Sequence, residues 1–141
     1  MTAYVDTSFL VSLYVQDLHS AEAIRLMASQ PRPWLTPLHH AEFAHAIERQ
    51  AFQKLLSRRE AREIHAQFEK DSEDGVWVKV ALPEQAFEIC AHLALHHAAR
   101  LGTRTLDTLH VASALELKAE QFWTFDERQA SLARAVGLKL R

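Results

Sequence analysis

The feature that most constrains this chain is its alternation of short apolar runs with amphipathic helical stretches, each switch marked by Pro, Gly, Ser, Thr or Asp. Ala3-Tyr4-Val5 reads as a buried strand ending at Asp6, and residues 7–16 and 20–29 read as two helices. Ser20 opens the second of these, with Glu22 in its first turn, where an acid suits the positive end of the helix dipole. Trp34-Leu35-Thr36, between Pro33 and Pro37, is the second strand. Pro37 suits the first position of a helix to about Phe52. Ser57-Arg58-Arg59-Glu60 is a capping box opening a helix to about Lys70.

The second half repeats the pattern. Asp74-Gly75 is a turn into a third strand, Val76–Val80, and Pro83-Glu84 starts a helix that runs to Arg100 and is stopped by Gly102. Thr105 caps a helix over 106–118 that is apolar on most sides and therefore central. Gln121–Phe125 is a fourth strand, Asp126 opens a short helix, and Leu138–Leu140 is a last edge strand. Strands alternating with helices imply right-handed crossovers and a parallel sheet covered on both faces. The 141 residues contain no repeat or linker, 48% are hydrophobic, and only three are Gly and four Pro. That composition supports one domain over 1–141 and excludes a disordered or loop-rich all-β chain.

Cys90 is the only cysteine, so no internal disulfide forms and a reducing cytoplasm is the expected setting. The N-terminus lacks the basic region of a secretory signal, and no run approaches the roughly 18–20 apolar residues of a membrane span. The expectation is a soluble protein without membrane contact.

The chemistry lies in the acids. In open α/β sheets, ligands gather beyond the C-terminal ends of the strands. Asp6 ends the first strand and Asp126 directly follows the fourth, which delivers two sequence-distant carboxylates to one edge. Asp107 falls in the first turn of the central helix, and Glu42 lies one position off the apolar stripe Phe43, Ile47, Ala51, Leu55. Four converging carboxylates suit one or two hard divalent cations, which bind oxygen and would polarise a phosphate and activate a water. Each acid also has a purely structural use. Asp126 begins a capping box with Gln129, Asp107 suits a helix dipole, and Glu42 can pair with His45 or Arg49. Asp6 is the hardest to explain in that way, because a carboxylate closing a buried strand is costly without a partner.

In order along the chain, Val5-Asp6-Thr7-Ser8-Phe9-Leu10, Glu42 early in a helix, Arg104 to Ala114 with the core Leu106-Asp107-Thr108-Leu109-His110, and Thr124-Phe125-Asp126 resemble the PIN-domain family. They resemble above all its VapC-type toxins from toxin–antitoxin pairs. The likeness covers nearly the whole chain, and its first and third motifs are the specific ones. It implies a PIN-like three-layer α/β/α sandwich with a mostly parallel central sheet of four to five strands. It further implies an endoribonuclease using Mg²⁺ or Mn²⁺ held by Asp6, Glu42, Asp107 and Asp126. Thr7, Ser8 and Thr124 are then hydroxyl neighbours that orient carboxylates or waters. A homodimer and a small cognate antitoxin that blocks the site are also implied.

A net charge of −2 is unusual for a protein that takes an RNA substrate, but clustered metal-binding acids lower it without touching an RNA-facing surface. Arg104, near Asp107, is the basic residue best placed for a phosphate. Arg49, Lys54, Arg58, Arg59 and Arg62 form a basic cluster interleaved with Glu48, Glu60 and Glu63, readable as a solvated hairpin or an RNA-backbone track. His92, His96 and His97 lack the HExxH pattern or the cysteines of a zinc site. His110 is placed to bond Asp107 or to sit in the core, and Trp34, Trp77 and Trp123 are expected core residues. The principal alternative is a PIN fold serving as a non-catalytic binding or scaffold module. A receiver domain needs adjacent acids near the first strand, and a haloacid-dehalogenase-type phosphatase needs Asp-x-Asp. Asp6-Thr7-Ser8 supplies neither.

Overall fold

The computed structural model describes residues 2–29 and 32–141. Five short strands, β1 (Ala3–Val5), β2 (Pro33–Leu35), β3 (Val78–Lys79), β4 (Gln121–Trp123) and β5 (Lys139–Leu140), form one sheet in the order β3-β2-β1-β4-β5. Every pairing is parallel. β1 is central, and the chain winds outward from it in one direction through β2 and β3 and in the other through β4 and β5.

Alternation along these strands builds the two outer layers, because successive side chains of a strand point to opposite faces. Ala3 and Val5 of β1 and Trp123 of β4 join one buried cluster with Phe9, Leu10, Phe43, Ile47 and Phe68. Those partners come from α1 (Thr7–Tyr14), α3 (Pro37–Phe52) and α4 (Arg58–Glu73), while α2 (Ser20–Ser29) adds Ala23 and Leu26. Tyr4 and Phe122, one position along, join the opposite cluster with Cys90, Leu93, Val111, Ala112 and Leu132. These are supplied by α5 (Ala86–Leu93), α7 (Thr105–Glu116) and α8 (Glu127–Ala135). The result is the expected three-layer sandwich, with all five strands parallel.

Several element boundaries differ from the sequence expectation for identifiable reasons. β3 begins at Val78 rather than Val76, since the end of α4 captures the preceding residues. Gly75, at φ +74°, donates to Ser72 O at 3.3 Å, and Val76 donates to Asp71 O at 3.0 Å. This is the paired closure of a Schellman motif, which needs a left-handed residue between the two donors. Trp77 then turns inward and is buried, although it lies outside the strand.

The helix expected from Pro83 starts at Ala86 after a tight turn and continues past Arg100 to Leu101, but it is not α-helical throughout. It passes through a π turn, Ala94–Ala98, into a short α6, Ala99–Leu101. Gly102, at φ +71°, ends it as expected. Thr105 is the first residue of α7, and Arg104 occupies the cap position assigned to Thr105 by sequence. Thr108–Ala114 of α7 are all buried, consistent with a central helix. Among the described residues, no helix is long and apolar enough to cross a membrane.

Candidate active site

The strand order reverses between β1 and β4, and a crevice at the carboxyl ends of two such strands is where open α/β sheets place ligands. Asp6 stands at that point. Its backbone N–H continues the sheet by donating to Trp123 O at 3.1 Å, so β4 fixes its position. Its carboxylate caps α1 by accepting from Phe9 N at 3.0 Å. Ser8 Oγ lies 2.8 Å from both carboxylate oxygens, and Thr124 Oγ1 lies 2.8 Å from Oδ2. The side chain is only 4% exposed, and among the described residues no Lys or Arg pairs with it. Burial pushes its pKa up, against the lowering effect of hydrogen bonds from Phe9 N, Ser8 and Thr124. Its hydrogen-bond donors are all neutral and His110 adds only a smaller electrostatic pull, so the buried charge is under-compensated and fits a cation.

Asp126 lies one short link away. Thr124 Oγ1 accepts from Asp126 N at 3.0 Å while facing Asp6, and Asp126 Oδ1 caps α8 by accepting from Gln129 N at 2.8 Å. The expected capping box is only half made. Gln129 does not return to the Asp126 backbone; its Oε1 faces Thr124 Oγ1 at 2.9 Å and its Nε2 donates to Asp107 O at 3.1 Å. Gln129 is almost fully buried and ties the Asp107, Asp126 and Thr124 segments together. Sequence reading assigned it no part in the site.

Asp107 is in the first turn of α7, as expected, and its Oδ2 lies 3.6 Å from Arg104 Nε and 3.4 Å from Arg104 N. The Arg104 side chain is otherwise 83% exposed.

Glu42 departs from expectation. Its partner is neither His45 nor Arg49 but His110, whose Nε2 is in contact with Glu42 Oε1, joined by Thr7 Oγ1 at 2.8 Å. His110 was placed by sequence near Asp107 or in the core. It is buried in the core, and it bonds Glu42 rather than Asp107. Its Nδ1 meets Tyr4 OH at 2.8 Å. Burial works to raise the Glu42 pKa, but the His110 hydrogen bond and charge, with the Thr7 hydroxyl, outweigh it and hold the carboxyl below its ordinary value. His39 packs against His110 with ring centroids 4.7 Å apart. It accepts at Nδ1 from Thr36 N at 2.9 Å and therefore donates from Nε2 to Val5 O at 2.6 Å. Burial and the neighbouring His110 hold its pKa well below the ordinary range, so this ring is neutral.

The structure thus links Asp6 to Asp126 through Thr124, links Asp126 to Asp107 through Gln129, and places Glu42 against Thr7, the residue after Asp6. The donors are all oxygens, the kind that hard divalent ions take. Among the described residues, however, no three acidic or histidine side chains already stand together as a metal cluster. The set matches such an ion in chemistry and edge position, without being drawn together around one point.

Two further groups singled out in the sequence lie on the surface. Arg59 pairs with Glu63 on an exposed helix face, and His96 bonds the His92 carbonyl on the surface of the π turn. Trp77 and Trp123 are buried core residues as expected, whereas Trp34 is half-buried and belongs to neither core cluster.

The PIN domain family model matches residues 3–135. The chain belongs to the PIN domain family. Solved structures with the same fold include Mycobacterium tuberculosis VapC20, described as a sarcin–ricin loop cleaving toxin. It is 20% identical with a TM-score of 0.72, covering 97% of this chain and 96% of that one. FitAcB from Neisseria gonorrhoeae is 15% identical with a TM-score of 0.72, covering 99% and 96%. VapBC2 from Rickettsia felis, bound to a DNA fragment from its promoter, is 13% identical with a TM-score of 0.70, covering 100% and 98%. No curated protein sequence matches the chain.

Proposed function

We propose that this PIN domain is a metal-dependent endoribonuclease that hydrolyses RNA phosphodiester bonds as the toxin of a toxin–antitoxin pair. The observation that carries this reading is Asp6: a buried carboxylate at the sheet's switch point, held by neutral donors and, among the described residues, without a protein cation. In this reading Asp6, Glu42, Asp107 and Asp126 hold Mg²⁺ or Mn²⁺. Bound there, the ion would supply Lewis acidity toward the phosphate and lower the pKa of a water.

The chain's own groups prepare that edge. Ser8 and Thr124 fix the Asp6 carboxylate, and Thr7 and His110 keep Glu42 ionised and turned toward the first helix. Arg104 is positioned to meet a substrate phosphate. The toxin assignment draws on family membership and on neighbours named as VapC and VapBC proteins. A homodimer, a small antitoxin that covers the site and a cytoplasmic location complete the proposal.

The alternative is a PIN fold retained as a binding module, and the absence of a preformed three-ligand cluster among the described residues is the observation in its favour. One experiment separates the two. Expression without a partner should arrest growth, and Asp6→Asn, expressed equally well, should relieve the arrest. Undiminished arrest by that variant would remove Asp6 from the chemistry.

A further inference from the structure

A ladder of rings climbs from the core to the surface beside the acidic edge. Trp123 and Phe9, both fully buried, have centroids 5.3 Å apart. Phe125 stacks on Phe9 at 5.7 Å and 17°. His19 then stacks on Phe125 at 4.4 Å and 7°, the closest to parallel of these contacts, and is itself exposed. Among the described residues no further ring lies against His19, so the ladder ends at a face open to solvent.

That last rung is held in place. Asp17 accepts from His19 N at 2.8 Å and from Ser12 Oγ at 2.8 Å, and Asp17 N donates to Ser20 Oγ at 2.9 Å. The loop between α1 and α2 is therefore tied on both sides of His19. Covering Phe125 from solvent would not need this, because any aliphatic side chain could do it. A flat ring, oriented in advance with one face open, is what a second flat ring would stack on.

Its location suggests what that second ring is. His19 and Phe125 form a wall shared by two cavities. One, of about 680 Å³, extends to Thr7, Ser8 and Glu42. The other, of about 310 Å³, extends to Thr124, Asp126 and the cations Arg134 and Arg141. A strand whose phosphate lies over the acids carries its neighbouring base past this wall. Unpaired RNA bases stack on aromatic side chains, including His, because every base offers a π face.

We propose that His19 is the stacking platform for an unpaired nucleobase next to the scissile phosphate. The proposal rests on the nuclease reading above. The test uses a short single-stranded RNA carrying 2-aminopurine, titrated into the wild-type chain in chelator so that nothing is cut. KM and kcat are measured in parallel with Mg²⁺.

Binding by wild type should quench the fluorophore. His19→Ala should weaken Kd or raise KM by about fivefold or more, reduce the quench and leave kcat nearly unchanged, since one stacked base is worth about 1–3 kcal/mol. His19→Trp should restore binding, and His19→Lys, which supplies charge without a ring, should not. If wild type cuts the RNA while His19→Ala matches it in Kd, quench and KM, the platform is wrong and the nuclease reading stands. Rescue by His19→Lys equal to that by His19→Trp would also overturn stacking. If wild type neither binds nor cuts RNA, both readings fall.

Discussion

Replacing Asp6 with Asn tests whether the acidic edge is a shared metal site through stability alone, independent of any substrate. An ion at about ten times its dissociation constant stabilises a fold by roughly 1.4 kcal/mol. For 141 residues, an unfolding entropy of about 2.1 cal/mol/K per residue gives roughly 0.3 kcal/mol/K, so wild type should melt about 5 °C higher with Mn²⁺ than with chelator. Asp6→Asn should lose that shift. Its metal-free stability should nevertheless hold, because the local hydrogen bonds can rearrange without loss. Asn caps a helix nearly as well as Asp, so Phe9 N keeps an acceptor. The Thr124 hydroxyl has one proton and two acceptors within reach, Asp6 Oδ2 and Gln129 Oε1. In the Asp6→Asn variant the new side-chain amide can donate to Thr124 Oγ1, and Thr124 then donates to Gln129. Asp6→Ala is the contrast: it removes the cap and should cost about 1 kcal/mol, or roughly 3–4 °C, even in chelator. The assay is a thermal melt of the three proteins with chelator and with Mn²⁺. A full metal shift in Asp6→Asn, or none in wild type, would refute a metal site centred on Asp6.

Three other outcomes follow from the same geometry. His110→Ala removes the Glu42 partner, and RNA cleavage should fall about 10–100-fold, as for residues that orient metal ligands; unchanged steady-state rates would show that Glu42 needs no orientation. His39 has a folded pKa below its unfolded value of about 6.5, so the unfolded chain binds the extra proton first; its contribution is full above that pH and lost as pH falls through the folded pKa, and His39→Gln should flatten this part of a melting-temperature profile. If the proposed homodimer segregates charge around a basic groove, scattering should give twice the 16.1 kDa chain mass and log K for RNA should fall with log salt by about 0.7 per contacted phosphate; a monomer, or salt-insensitive binding, would refute that arrangement.

Much of this fold was legible because its signals are local. Pro37 and Ser57 mark the beginnings of α3 and α4, and Gly102 ends α6, as expected from backbone chemistry that needs no tertiary context. Asp6, Asp107 and Asp126 were placed at the sheet edge by the same logic, since a strand end or a helix first turn is readable from neighbours in sequence. What escaped depended on contacts across the molecule. His110 and Glu42 are 68 positions apart, and helical spacing offered Asp107 as the nearer partner for that imidazole. Gln129 looked like half of a capping box until Thr124, five residues earlier, took over its side-chain oxygen. The π turn at Ala94–Ala98 has no proline or glycine to announce it.

The division between legible and hidden acids reflects how the edge is built. A parallel sheet puts the C-terminal ends of its strands, and therefore the N-termini of the helices that follow, along one side. Asp6 caps α1, Asp126 caps α8, and Asp107 lies in the first turn of α7, so each meets free backbone N–H groups and the positive end of a helix dipole. Such carboxylates can be brought to one edge with few cationic side chains, among the described residues Arg104 beside Asp107, which leaves the charge of Asp6 and Asp126 available to a cation. Glu42 is different, because it sits beyond the first turn of α3, where no free N–H groups remain. It is also the one acid given a buried histidine and a hydroxyl partner instead. Helix ends serve three of the acids, and a side-chain network substitutes for a helix end at the fourth.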